Sequence, residues 1–374
     1  MRYFDNNATL PLLAEAKNAW LEAQEKYWFN ASSPTMLGAS VRVRLDAVRT
    51  KISSLLNRGP ECIVFTSGAT ESNNTAAHIF GVFLQPATRI GLQRIQHASV
   101  LLPFKKHFSD QVQCFDRIDE LKSHGGLFGA VIVSGANSES GEIYPLSETI
   151  DYCRKSGSWL FCDATQLIGK TDSWESLGEC HFVTGSAHKF GGPKGVGFLA
   201  IPSGISMTPL ISGGGQQEGK RSGTENYPSI FAMSEALTVA ESQKGKWKEL
   251  ECSKLLFERR IQDLISGSKV IADSKPRLWN TSLILVPKYE NTNWVSRLEK
   301  KGFIIGTGSA CSSHKESSNE DTGFSQDERK RLLRFSGNFF QSTADWDDLG
   351  SAVLECWNEF NEEKVHSQSQ VIDI

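Results

Sequence analysis

The chain has 374 residues, 39% of them hydrophobic and 22% charged, with a formal net charge of −3. That length holds two domains and a large buried core, and the near-balanced charge gives no case for a nucleic-acid partner. No run approaches the length of a membrane-spanning helix, and the start, MRYFDNNATLP, has no apolar signal core, so a cytoplasmic location is expected.

Apolar residues at helical spacing predict helices over 12–28 and 38–56, then a short strand over 62–65. A helix over 70–83 starts directly behind Ser67-Gly68. Strand 131–133, helix 146–155 and strands 159–162, 182–184 and 196–201 follow. Strands alternating with helices argue an α/β class with a largely parallel sheet. The stretch 227–249 reads as helical in its first half, with a weak point at Gly245. Beyond it, helix 250–265, strand 281–286, helix 293–300, a Ser/Gly-rich loop, strand 332–335 and helix 343–363 outline a smaller α+β domain. The expected domains are 11–248 and 249–365, with 1–10 packing on the second and 366–374 as a loose tail.

Two segments carry the chemistry. FCDATQLIGK sets Asp163 at the end of an apolar run, and FVTGSAHKFGGPKGVGFL sets Lys189 behind Ser186 and His188 and before a glycine-rich turn. A lysine amine and an acid at two strand ends are what a pyridoxal 5'-phosphate site requires, the acid pairing with the pyridinium nitrogen. Solvated surface groups would show the same residue types. The stretch FTSGATES is a strand, a small-residue turn and a helix start, whose free N–H groups suit an anion. His97 stands in QHASV. The eight cysteines form no CxxC pair, so no metal site is expected from this chain. Cys62, Cys162 and Cys356 read as core fillers. Cys311, in GTGSACSSHKESSNEDTG, sits among Gly, Ser and Thr, where an exposed thiol can become a nucleophile.

The blocks YFDNNAT, TSGATESNN, HASV, DATQ, GSAHK, RSGTEN and GSACSS, in this order over most of the chain, closely resemble the cysteine desulfurases, the NifS/IscS-like group of the class V aminotransferase family. The resemblance implies a PLP-dependent transferase (aspartate aminotransferase-like) fold, with a large, mostly parallel mixed-sheet domain. It implies Lys189 as the cofactor lysine, Asp163 on the ring nitrogen, Gln166 near the ring hydroxyl, and His97 stacked on the ring and moving protons. Ala69 and Thr70 would take the phosphate with Ser186 and His188. The loop GGGQQEGKRSGTEN would cross to a partner subunit, where Thr224 completes the phosphate site, so a homodimer is implied. Arg334, in LLRFS, would bind the substrate carboxylate, and Asn6, Asn7 and Ser138 would line the substrate pocket.

The implied reaction converts L-cysteine to L-alanine and leaves the sulfur on Cys311 as a persulfide for a sulfur-acceptor protein. A selenocysteine lyase or other β-lyase of the same family, and a partner-dependent sulfur-carrier scaffold, are the alternatives. The sequence departs from the family pattern at several points. Ser138 stands for the second Asn of an NNETG motif, and Thr35 for a histidine. Glu218 replaces a basic residue, and Phe339 takes the place of a second arginine.

Overall fold

The computed structural model describes residues 1–123, 125, 127–308 and 323–369, with side chains through Glu363. The chain divides into two compact units. Thr9–Asn137 and Ile143–Lys244 form the larger; Met1–Ala8, Ser138–Glu142 and the chain from Gly245 form the smaller. The first strand, β1 (Arg2–Phe4), therefore belongs to the smaller unit.

The larger unit begins with α1 (Ala14–Lys26), α2 (Met36–Leu55), β2 (Ile63–Thr66) and α3 (Ala69–Phe83). β3 (Ile90–Gln93), α4 (Ala98–Phe108), β4 (Val112–Phe115), α5 (Ile118–Ser123) and β5 (Ala130–Ser134) follow. Then come α6 (Leu146–Ser156), β6 (Trp159–Asp163), α7 (Trp174–Gly178), β7 (Phe182–Ser186), β8 (Gly197–Ala200) and α8 (Tyr227–Ser242). The strands form one sheet in the order β2-β8-β7-β6-β5-β3-β4. From β7 through β6, β5 and β3 to β4 the pairing is parallel, while β8 runs antiparallel to both β7 and β2.

The central strands AVIVS and WLFCD are buried on both faces, which explains their continuous apolar runs. Phe80, Phe104, Phe161 and Phe182 pack in one core, with Phe80 and Phe182 edge to face at 4.8 Å. Each such ring contributes about 1.5–3 kcal/mol through burial. Parallel pairing brings the carboxyl ends of β5, β6 and β7 side by side, with Asp163 opposite Ser134 and Thr184. Ligands of open α/β sheets bind at such strand ends.

The smaller unit adds α9 (Trp247–Leu264), β9 (Lys269–Val270), β10 (Thr281–Leu285), α10 (Asn291–Lys300) and β11 (Phe303–Thr307). It ends with α11 (Gln326–Arg329), β12 (Leu332–Ser336) and α12 (Thr343–Ser369). Its sheet runs β1-β11-β12-β10-β9, with β1 and β11 parallel and the rest antiparallel. Phe4, Phe257, Trp294, Phe335 and Trp346 fill its core. That core also holds charge. Arg277 forks onto Glu258 at 2.6 and 2.8 Å, and the fully buried Lys254 donates to the Leu278 carbonyl at 2.9 Å.

The break expected at Gly245 is present: α8 ends at Ser242, and a short turn, Lys244–Lys246, separates it from α9, which starts at Trp247 rather than at Leu250. One expected element is corrected. The tail expected from 366 is helical through Ser369, because α12 continues past the last periodic apolar residues.

Candidate active site

Lys189 follows β7 in a single tight turn, Ala187–Lys189. A short strap fixes this turn: Leu10 N–H donates to the His188 carbonyl at 2.8 Å, and Leu13 N–H to the Gly191 carbonyl at 2.9 Å. The strap lies so close that a Cβ on Gly191 would come within 2.4 Å of Leu13 Cγ, and Gly191 also has φ +89°. The His188 ring meets the Thr9 hydroxyl through Nδ1 at 3.2 Å. Burial, then the charges of Lys189, Lys194 and Lys170, push the His188 imidazole down to about 4. It is therefore a neutral ring near pH 7.

Asp163 ends β6, buried at 6% exposure. Its Oδ1 accepts the Thr165 N–H at 3.0 Å, and its Oδ2 accepts Asn73 Nδ2 at 3.0 Å. Three residues on, Gln166 is buried and accepts from Lys170 Nζ at 2.5 Å. His97 caps α4: its Nδ1 accepts the Ser99 N–H at 3.1 Å and lies 2.7 Å from Ser99 Oγ.

The turn before α3 is open. Gly68 is its N-cap at φ 142°, and no side chain caps the helix, so the N–H groups of Ala69 and Thr70 lead it. Ser186 Oγ lies 3.4 Å from where a Gly68 Cβ would stand. Glu71 accepts the Ser67 N–H at 2.8 Å and takes Arg221 side-on at 2.9 and 3.2 Å. Its carboxyl is held below the usual range: burial opposes this, but the bonds from Arg221 and Ser67 outweigh it.

The glycine-rich loop is tied to the same place by Gln217. Its side-chain amide accepts the Phe65 N–H at 2.8 Å and donates to the Phe65 carbonyl at 2.9 Å. Gln217 and Glu218 hold left-handed backbone, φ 49° and 58°, to make that reach. Thr224 is exposed on this loop.

The smaller unit gathers its own group. Arg334 on β12 is buried at 5% exposure. It donates to Asp5 Oδ1 at 2.7 Å and to the Ser138 carbonyl at 3.2 Å, and Nε has no partner among the described residues. Gly306, opposite Arg334 in β11, makes room for the pair: a Cβ there would lie 2.4 Å from Asp5 Oδ1. Asn6 donates to the Tyr3 and Ser336 carbonyls at 2.9 and 2.8 Å. Asn7 donates to the Ser138 carbonyl at 3.1 Å and to Thr281 Oγ1 at 2.9 Å. Both amides thus spend their donors inside the unit, as braces beside Arg334. Burial pushes Glu139 up to about 7, against the pull of Arg334 and Arg329. Phe339 is buried, with Phe340 at 4.6 Å. Cys311 lies outside the described residues.

Asn73, Ser99, Lys170, Asp5 and Gln217 were missed by sequence reasoning as members of these groups. Asn73 stood inside TSGATESNN, but its partner Asp163 is 90 positions away.

The aminotransferase class-V family profile matches residues 2–348, and the chain belongs to this family. Among its relatives, "Cysteine desulfurase 2" of Trichormus variabilis is 31% identical over 83% of this chain and 81% of its own length. "Cysteine desulfurase IscS 1" of Archaeoglobus fulgidus is 33% identical over 84% of this chain and 85% of its own. A solved structure titled "NIFS-LIKE PROTEIN" superposes with a TM-score of 0.87, covering 96% of this chain and 100% of its own at 25% identity. Family members in general depend on pyridoxal phosphate, and the architecture is that of a fold type I PLP-dependent transferase.

Proposed function

We propose that this protein is a pyridoxal 5'-phosphate-dependent cysteine desulfurase. The observation that carries the reading is the grouping in the larger unit of a buried strand-end carboxylate, a strapped lysine turn and an uncapped helix start, within a chain whose relatives bear that name. The residues fit the cofactor. Asp163 offers a carboxylate for a ring nitrogen, Lys189 an amine for a carbonyl, and Ala69 and Thr70 N–H donors for a phosphate, with the Ser186 hydroxyl close by. Neutral His188 and the Gln166–Lys170 pair complete the polar surroundings. When bound, pyridoxal phosphate supplies an electron sink that makes the substrate Cα–H acidic.

The chain's own residues do the rest. Arg334 takes the L-cysteine carboxylate, with Nε as the donor still to be satisfied and Asp5 fixing the guanidinium plane. Asn6 and Asn7 act by holding this frame rather than by lining a pocket with free amides. Lys189 moves the Cα proton. Cys311 thiolate attacks the substrate sulfur: an S–S bond forms, the Cβ–S bond breaks, and its electron pair goes to Cβ, which a proton then fills to give L-alanine. No outside oxidant enters. The persulfide on Cys311 passes to a sulfur-acceptor protein. Thr224, exposed on its loop, acts across a homodimer.

Among the described residues no helix is long and apolar enough to cross a membrane, and no cluster of His, Cys, Asp and Glu could hold a metal ion.

Cys311→Ala tests the reading. Alanine and sulfide formation from L-cysteine should fall by about two orders of magnitude or more, the scale for losing a nucleophile. Unchanged cysteine turnover would refute it. Selenide release from selenocysteine that survives in Cys311→Ala while cysteine turnover collapses would favour the lyase.

A further inference from the structure

One chain of hydrogen bonds in the larger unit runs deeper than the residues assigned so far, and its meaning for catalysis rests on the desulfurase reading. Asn73, in α3, is fully buried. Its Nδ2 gives one hydrogen to Asp163 Oδ2 at 3.0 Å and the other to Ser99 Oγ at 2.9 Å. A carboxylate only accepts, so the amide nitrogen must face this side. Ser99 Oγ accepts from Asn73, which leaves its own hydrogen for the next group, His97 Nδ1, at 2.7 Å. The Ser99 backbone N–H, which can only donate, points at the same Nδ1 at 3.1 Å. Nδ1 is thereby an acceptor, and the proton of the neutral ring sits on Nε2.

We propose that Asn73 is a positioning residue that sets two groups at once: the aim of the Asp163 carboxylate and, through Ser99, the tautomer and ring plane of His97. The donors run one way, from the amide outward to both ends. With Nδ1 accepting inside the protein, the neutral ring carries its hydrogen on Nε2. Toward the substrate of the desulfurase reading His97 therefore offers Nε2–H as a hydrogen-bond donor, not a bare nitrogen that takes the thiol proton. The Asn73 amide bonds Asp163 and Ser99 and acts through them.

The test reads the tautomer directly. The full chain, labelled with 15N-histidine and free of substrate, gives ring nitrogen shifts, with His97 assigned by its loss in His97→Gln. Wild type should show Nε2 protonated and Nδ1 bare. Asn73→Ala should raise the Nδ1–H population roughly fivefold, the ratio that loss of one hydrogen bond gives. Ser99→Ala, at a half-buried site that tolerates the change, should shift it the same way. In the loaded enzyme both variants should lower kcat for L-cysteine with KM little altered. A wild-type ring protonated on Nδ1, or variants that leave the tautomer unmoved, would overturn the assignment. A wild type that shows the expected tautomer yet never turns over cysteine would sink the desulfurase reading instead.

Discussion

Lys254 offers a quantitative test of the smaller unit. Its ammonium is wholly buried and donates to the Leu278 carbonyl at 2.9 Å. Burial pulls its pKa down from 10.5 to about 8, although Glu258 pulls the other way. A lysine whose folded value is depressed binds its proton less well when folded. Between pH 8 and 10.5 the unfolded chain holds a proton that the folded chain has released, so this group makes stability rise with pH across that window. The shift corresponds to about 3 kcal/mol. Lys254→Met keeps the apolar stem and removes the charge, but leaves a carbonyl without its donor, at a cost of about 1–3 kcal/mol. Near pH 7 the variant should then equal or exceed wild type by about 0–2 kcal/mol. Urea melts of the full chain from pH 7 to 10.5 measure this. The decisive quantity is wild-type stability minus variant stability, which should climb by about 3 kcal/mol over the window. Subtraction removes the buried thiols that titrate nearby, such as Cys356 at about 11. Parallel curves for the two proteins would refute the reasoning.

His188 should act at the acid end. Its imidazole is held down at about 4, so stability is lost as pH falls from 6.5 towards 4, where the unfolded chain takes up a proton first. Thermal melts of His188→Gln should show a shallower acid slope than wild type, with no difference above pH 7.5. Gly191→Ala should place a methyl 2.4 Å from Leu13 Cγ at positive φ. That costs about 2–4 kcal/mol, and hydrogen exchange at Leu10 and Leu13 should speed up; protection equal to wild type would mean the strap is not tight.

The parts of the site that lie within one turn of chain were legible in the sequence: the Asp163 strand end, the Lys189 turn and the open start of α3. Each is a local pattern whose spacing shows its geometry. The pieces that were not legible are bonds between distant segments. Asn73 looked like any helix residue, and Asp5 like part of a turn, until folding set Asp163 and Arg334 beside them. Several elements escaped for a plainer reason. β3 and β4 have four residues each, too few for alternation to show, and α4 carries Pro103 inside an apolar stretch. Gly245 did mark a real break, because a helix needs more than local periodicity to cross a flexible residue.

Gln217 has a consequence for solubility. β2 is one of the two edge strands of its sheet, and an edge strand exposes a row of groups that any other extended chain can pair with. The Gln217 amide occupies that row at Phe65, receiving and giving as a neighbouring strand would. The loop beside the start of α3 is thus also a guard on the sequence IVFT. A lesion that frees this loop would unmask a sticky margin, and such variants should be lost to aggregation in the cell before any defect in sulfur chemistry could be seen.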